Sequence, residues 1–504
     1  MTFAALDWWV VGLFVAGILA LGLSAKLQEN SVLGYLAAGR NLSLPAFVAT
    51  LVSTWYGGIL GVGESVSYYG LGTLVLFGLP YYVFGFLFAV YLAPRFRAAA
   101  EITIPERLAG AYGRPAGLVG GLFTLLLAAP AAHILMLGVL IMAVTGLSKP
   151  IALLVGLGLG LVFLVRGGLL ADVRVSLLAF LMMYVGFGAM VGYAVWQSPP
   201  SVAWADLPAV NKSWDGGAGW PMVLSTFILG AWTLVDPGMH QRAASASSGA
   251  VAKKGVLLSV GFWMLFDCLS VSAGMYALAN GVIRPEEPLL AYPALGEKVL
   301  PPGLKALFFC GMFGTILSAC VGYTLVGGGA FGREIVARLR PELRDDQIKR
   351  AVQVGLFVAA GLGLALATTI NSVVSLWYAW AGLIVGAMLI PTVLAFGWRG
   401  SAEAGPRRPG ISGGVVLASM LGSFGIGLAW MIYGMRTGNP FLTVARVVQD
   451  GETRWILPNS SHSEPVQALI ASSQQVNIGT LLPALLISAL VLGIGRVLDR
   501  KSKQ

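Results

Sequence analysis

Four ionisable side chains stand inside long apolar runs of this sequence: Glu64, His133, Asp236 and Asp267. Such groups are costly at membrane depth and usually functional. Asp267 lies thirteen residues into the run 255–280, and Trp263 is one helical turn earlier on the same face. A carboxylate there can meet a cationic group of a solute, hold a proton, or bond to another helix. Glu64, among Gly61, Gly63 and Ser65, reads as part of an outer vestibule or as a cap for released backbone. His133 reads more readily as a packing residue than as a proton relay. Asp236 precedes Pro237 and suits a helix N-terminus, where carboxylates are favoured. Arg166, Asp172, Arg174, His240 and Arg242 read as inner-face anchors and gate ion pairs. There is no nucleophile–base set, Cys-His cluster, HExxH or Walker motif, so the chain is not read as an enzyme or an ATP-driven pump.

Two apolar segments carry the signs of an interrupted helix. One holds Ser53, Thr54, Trp55, Tyr56, Gly57 and Gly58; the other holds Gly230-Ala231-Trp232 and then Asp236-Pro237-Gly238. A glycine pair or an Asp-Pro step releases backbone groups that must find partners inside the protein or in a wet cavity. Each alone is equally a kink or a helix end. They are five helices apart, however, and so run in opposite membrane directions. Paired interruptions of this kind point to a transporter's midplane site. Trp55, Tyr56 and Trp232 lie at these breaks, deeper than interfacial aromatics such as Trp8, Trp9 and Trp196.

The elements that must position these groups are membrane helices. Hydrophobic residues make up 57% of the 504 and charged residues 11%, against about 25% charged for a soluble domain. Thirteen apolar stretches approach the roughly 20 residues a crossing requires: 5–25, 44–70, 73–93, 116–146, 149–165, 175–196, 220–239, 255–280, 303–332, 351–370, 373–396, 412–435 and 478–495. Of the 32 Lys and Arg, 24 fall in one alternate set of gaps and 8 in the other. Basic loops stay in the cytoplasm, which predicts an N-terminus outside and a C-terminus inside a plasma (inner) membrane. The net charge of +10 is largely this loop excess and implies no nucleic-acid partner. Cys268, Cys310 and Cys320 lie in or beside apolar spans, so no disulfide framework or zinc site is implied. Residues 101–113 read as a short amphipathic helix on the inner surface. The gap 437–476 reads as a partly ordered outer cap, and its Asn459-Ser460-Ser461 sequon as a chance match.

A run of motifs resembles the sodium/solute symporter family. Tyr35-Leu36-Ala37-Ala38-Gly39-Arg40, Ile59-Leu60-Gly61 with Tyr69-Gly70, and Thr103-Ile104-Pro105-Glu106-Arg107-Leu108 match it. So do Gly167-Gly168-Leu169, Asp236-Pro237 with Gln241-Arg242, and Phe331-Gly332-Arg333-Glu334-Ile335. Each is weak; their order and spacing over about residues 30 to 400 are specific. The resemblance implies an all-α integral membrane protein with the inverted five-plus-five core of leucine transporters. Residues 1–43 would form a leading helix and inner loop, 44–396 the ten-helix core, and 397–504 two trailing helices with the outer loop 437–476.

The resemblance also implies a sodium-coupled carrier of a small polar solute, a monomer or weak homo-oligomer in the bilayer, with no cofactor beyond the coupling ion. Sodium is a hard cation that takes oxygen ligands. The carry-over assigns it carbonyls of Leu51 and Thr54 on the first broken helix. On the eighth core helix it assigns Thr315, Ser318 and Ala319, so the second of the family's adjacent hydroxyls is missing. The family's Thr-Asp pair on the fifth core helix is Val175-Ser176, and Ser53 stands where some members have a carboxylate. Thr315 or Ser176 could compensate. Trp232 matches an aromatic that shields solute from the cytoplasm. Trp263 matches a solute-facing lysine of the sugar-transporting branch, which sets Asp267 in the pocket with Trp55, Tyr56, Gly57 and Gly58. Because the ion site is depleted, proton coupling, uncoupled transport and a transporter-derived sensor remain alternatives.

Overall fold

The computed structural model describes residues 1–26, 31–284, 286–370, 372–373, 376–396, 410–437, 439, 443–449, 452–456, 474–477 and 479–501. The principal helices begin with α1 (Ala5–Leu23), α2 (Leu44–Trp55), α3 (Ile59–Tyr69) and α4 (Leu74–Ala98). Next come α5 (Ile104–Tyr112), α6 (Arg114–Leu127), α7 (Ala131–Thr145), α8 (Lys149–Gln197), α9 (Gly219–Leu229) and α10 (Pro237–Ser245). The last six are α11 (Gly249–Ala279), α12 (Leu304–Gly329), α13 (Asp345–Thr369), α14 (Gly382–Phe396), α15 (Gly413–Arg436) and α16 (Leu481–Lys501). Among the described residues, eleven helices are long and apolar enough to cross a membrane, counting α2 with α3, α6 with α7 and α9 with α10 as single rods. The apolar α14 is shorter.

At 49 residues, α8 is longer than one crossing needs. It turns at Gly168, whose φ of 52° and ψ of −141° lie outside the helical region. A side chain there would meet the Tyr35 carbonyl oxygen at 2.3 Å, so both conformation and space demand glycine. The centre of the bundle is α12, buried along nearly its whole length. Its glycines admit neighbouring backbone: a Cβ at Gly311 would lie 2.7 Å from the Met182 carbonyl oxygen of α8. Small residues at helix contacts are the usual means of close approach in membranes. The start of α12 is capped from another helix: Asp7 of α1 accepts from the backbone N–H groups of Gly303 (2.7 Å) and Ala306 (3.3 Å).

Two sequence expectations change. The amphipathic α5 is capped by Thr103, which accepts from Glu106 N–H at 3.2 Å. Its Ile104, Leu108 and Ala111 are buried in the protein, and Arg107 donates to the Ala395 carbonyl at 3.1 Å. The helix therefore docks on α6 and α14 through this face. The connection between α15 and α16, read as a partly ordered cap in an all-α chain, carries a three-stranded antiparallel sheet. Its strands β1 (Thr443–Gln449), β2 (Glu452–Ile456) and β3 (Gln474–Asn477) lie in the order β2-β1-β3, with Val444 opposite Val476. The strictly all-α expectation thus holds only for the apolar part. The sequon Asn459-Ser460-Ser461 and most of the basic loop 397–411 lie outside the described residues.

Candidate functional site

Both interrupted segments face one cavity of about 1230 Å³ of empty space, its mouth included. From the first segment it is lined by Thr54, Trp55, Tyr56 and Gly58, and from the second by Trp232 and Asp236. Across from these stand Tyr82 of α4, His133 of α7, Asp267 of α11 and Tyr323 of α12. The first segment shifts from α to 3₁₀ hydrogen bonding: α2 passes through a single turn at Tyr56–Gly58 into α3, with Tyr56 (φ −81°, ψ 12°) and Gly58 (φ −86°, ψ 14°) in the bridge region. The second truly stops. After a 3₁₀ stretch at Gly230–Leu234, Val235 has φ −126° and ψ 10°, and Asp236 is extended at φ −65°, ψ 116°.

The side chains of the second break satisfy its loose ends. Asp236 accepts from Met239 N–H at 2.7 Å, capping α10, and from the Tyr323 hydroxyl at 2.8 Å. The His240 ring shares a 2.8 Å hydrogen bond with the freed carbonyl of Leu234. At the first break the glycines serve packing. Gly57 does not line the cavity; a Cβ on it would lie 2.0 Å from that of Ala319 in α12 and 3.0 Å from His133. His133 lies flat against Tyr323, with 5.2 Å between ring centroids.

Asp267 is half-buried at the cavity wall and accepts from the Tyr82 hydroxyl. Tyr56 donates to the Trp263 carbonyl at 2.6 Å. Trp263 is wholly buried and does not line the cavity; it stands behind Trp55, stacked on it at 4.5 Å. Glu64 is also away from the cavity, buried on α3 and accepting from Ser372 at 2.8 Å.

Beside Thr54 lies a knot of hydroxyls. Ser318 Oγ of α12 is 2.8 Å from Ser176 Oγ, 3.1 Å from Ser53 Oγ and 3.4 Å from Thr54 Oγ1. Asp172, one turn before Ser176 on α8, accepts from Ser176 at 3.3 Å and from Arg242 Nη2 of α10 at 2.9 Å. The same Nη2 donates to Thr54 Oγ1 at 2.8 Å, and the Arg242–Asp172 pair is fully buried. A hydroxyl cluster with one carboxylate is a hard-cation environment. Thr315 does not enter it through its hydroxyl, which bonds back to the Met312 carbonyl at 2.9 Å.

The sequence reading takes Asp172 and Arg242 as inner-face anchors and gate ion pairs; the two do pair with each other, and the pair sits in this knot. The four-residue spacing of Asp172 and Ser176 was the available signal, since it puts both on one face of α8. Tyr82 and Tyr323 were missed; nothing local marks a tyrosine whose partner is 185 or 87 residues away. Arg174 instead donates to Ser24 at 2.7 Å in an exposed contact.

A model of the family described as "Sodium:solute symporter family" matches residues 218–413. The chain is 22% identical over 420 residues to sodium/glucose cotransporter 4 of Danio rerio, a match covering 72% of this chain and 63% of that protein. It is 22% identical over 429 residues to sodium/glucose cotransporter 1 of Mus musculus, covering 73% and 63%. The chain thus spans under two thirds of the length of these relatives. The uncharacterized symporter YidK of Escherichia coli (strain K12) is 24% identical over 421 residues, covering 77% and 71%. In fold, the chain is similar to a Na+-coupled sialic acid symporter solved in a substrate-bound outward-open state. That match has a TM-score of 0.75 at 13% identity over 99% of this chain and 98% of the other. It is also similar to Mhp1, a nucleobase-cation-symport-1 family transporter in a closed conformation. The TM-score there is 0.55 at 11% identity over 95% and 96%. These relatives are transporters, not enzymes, and over residues 218–413 the chain is similar to the sodium:solute symporter family.

Proposed function

We propose that the protein is a sodium-coupled secondary carrier that moves a small polar solute across the plasma membrane by alternating access. One observation carries this reading: the hydroxyl knot of Ser53, Thr54, Ser176 and Ser318 touches the wall of the cavity that both interrupted helices share. Sodium bound there, with carbonyls of Leu51, Thr54 and Thr315 as further ligands, would bridge α2, α8 and α12. Asp172 lies one turn from the position of the family's Thr-Asp pair, but Arg242 neutralises it here. A buried cation without a counter-charge is disfavoured by several kcal/mol, so the sodium reading requires that Arg242 release Asp172 when the ion binds. An ion bound more tightly in one state biases the carrier toward it, and that differential affinity is the source of coupling.

In the same reading α8 crosses twice, turning at Gly168, and α14 crosses with the turn before it, which gives thirteen crossings. Residues 44–396 form the inverted-repeat core, the N-terminus lies outside and the C-terminus in the cytoplasm. The carrier works as a monomer or weak homo-oligomer. Trp232 is the inner gate, and Glu64 belongs to the outer half.

Arg242 favours a second reading. Its guanidinium already donates to Thr54 beside the knot, so it could stand in for the ion and leave the carrier uncoupled. Thermal unfolding of the purified chain in NaCl, KCl or LiCl separates the two. Selective stabilisation by Na+ that rises with concentration and is lost in Ser318→Ala supports coupling, since a ligand stabilises by RT ln(1 + [L]/Kd). Identical unfolding in all three salts would sink sodium coupling and leave the uncoupled carrier.

A further inference from the structure

We propose that the solute carries a substituted ammonium group, seated against Asp267 and the aromatic walls beside it. The inference rests on the carrier reading for translocation, but its binding claim stands on the cavity alone. Among the described residues the cavity is lined by two carboxylates, Asp236 and Asp267, and by no Lys or Arg. An anionic solute would meet no counter-charge there. No Asn, Gln or Ser lines it either. A sugar would meet the hydroxyls of Thr54, Thr73 and the tyrosines, but none of the side-chain amides that could bond its many hydroxyls in pairs once dehydrated.

The two carboxylates are not equivalent. Asp236 is committed: one oxygen holds the Met239 N–H and the other the Tyr323 hydroxyl. Asp267 receives the Tyr82 hydroxyl, and no Lys or Arg among the described residues pairs with it. It is the carboxylate left to balance an incoming positive charge.

The remaining wall suits the same guest. Eight aromatic rings line the cavity, counting Phe, Tyr and Trp. Trp55 is held in place from behind by Trp263 at 4.5 Å and from the side by Tyr81 at 5.2 Å. Electron-rich ring faces attract alkylated ammonium groups, which are too weakly hydrated to resist dehydration. A fixed ring pair and one carboxylate together select for a positive charge borne on apolar substituents.

The test uses the full purified chain and probes of defined chemistry. Tetramethylammonium and n-butylammonium are compared with the neutral tert-butanol and n-butanol, and with glucose, by tryptophan fluorescence, since Trp55, Trp232 and Trp377 line the cavity. Each cation is expected to bind at least about tenfold more tightly than its neutral partner. Asp267→Asn is expected to reduce that ratio to about twofold while leaving n-butanol unchanged, and Tyr82→Phe, which keeps the carboxylate, to preserve it. Equal binding of cation and alcohol by the wild-type chain overturns the proposal whether or not the variants fold; so does tighter binding of glucose, or a ratio that survives Asp267→Asn. Exchange of labelled tetramethylammonium in proteoliposomes is the second arm. Binding without exchange sinks the carrier reading and leaves the cation site standing. Exchange of glucose with no cation binding sinks the cation site and leaves the carrier.

Discussion

The two interrupted helices border one cavity but are broken by different chemistry. At Tyr56–Gly58 the chain tightens by one 3₁₀ turn between two helical runs, and its glycines let α12 and His133 come close. At Val235–Asp236 the helix ends, and Asp236 and His240 take up the released backbone groups. The first break is a packing device with polar hydroxyls at its edge. The second is a self-capped discontinuity. In the proposed alternating-access cycle the first would respond to whatever fills the hydroxyl knot, while the second would keep its shape and swing as a unit.

Arg242 joins the two, because it lies in α10, which starts at the second break, and donates to Thr54 just before the first. The largest effect is therefore expected from Arg242→Leu. It strands the wholly buried Asp172, and losing one partner of such a pair costs about 3–5 kcal/mol. Denaturation in detergent micelles measures this. The double variant Asp172→Asn/Arg242→Leu should be less destabilised than the sum of the two single changes. Strict additivity would show that the pair does not couple the breaks.

Next in size is Gly57→Ala. The new methyl would lie 2.0 Å from the Ala319 Cβ, closer than any real contact, so α2 and α12 must separate. Overpacking of this kind costs about 1–3 kcal/mol. At Gly58 the new methyl would meet the Trp377 ring at 2.6 Å, a side chain that can give way, so Gly58→Ala should cost less. Ala319→Gly should restore much of the Gly57→Ala loss. If it does not, close packing is not what the first break is for.

These contrasts bear on what the sequence made legible. The membrane class, the interrupted pair and the Asp236 cap each follow from local rules: apolar length, a Gly-Gly or Asp-Pro step, a carboxylate ahead of a helix. The residues that face the cavity do not. Trp263 and Asp267 share a helical face, yet Trp263 packs behind Trp55 while Asp267 opens to the cavity. That outcome depends on how α2 crosses α11, which no local pattern encodes. The Arg242–Asp172 pair and the Arg242–Thr54 bond span 70 and 188 residues. The Asp172–Ser176 spacing was visible in the sequence; that Arg242 of α10 reaches both Asp172 and Thr54 needed the tertiary structure.

Asp236→Ala should have a smaller effect. Loss of an N-cap carboxylate costs about 1 kcal/mol, and Asn should retain most of it because its carbonyl still accepts from Met239 N–H. Thermal unfolding of the two variants side by side checks this. If Asn is as damaging as Ala, the charge rather than the cap geometry is what the second break requires, through the helix dipole or Tyr323.

The smallest effect, and the sharpest test of the asymmetry, concerns two threonines. Thr54 at the first break accepts a charged hydrogen bond from Arg242 and lies in the hydroxyl knot. Thr233 at the second break is wholly buried, and its hydroxyl has no partner among the described residues. A buried hydroxyl without a partner contributes nothing that a methyl of the same shape would not. Thr233→Val should therefore leave the unfolding temperature unchanged or raise it slightly, with solute binding intact. If Thr233→Val proved as harmful as Thr54→Val, the second break would also hold an occupant through its hydroxyl, and the division into a responsive break and a rigid one would fall.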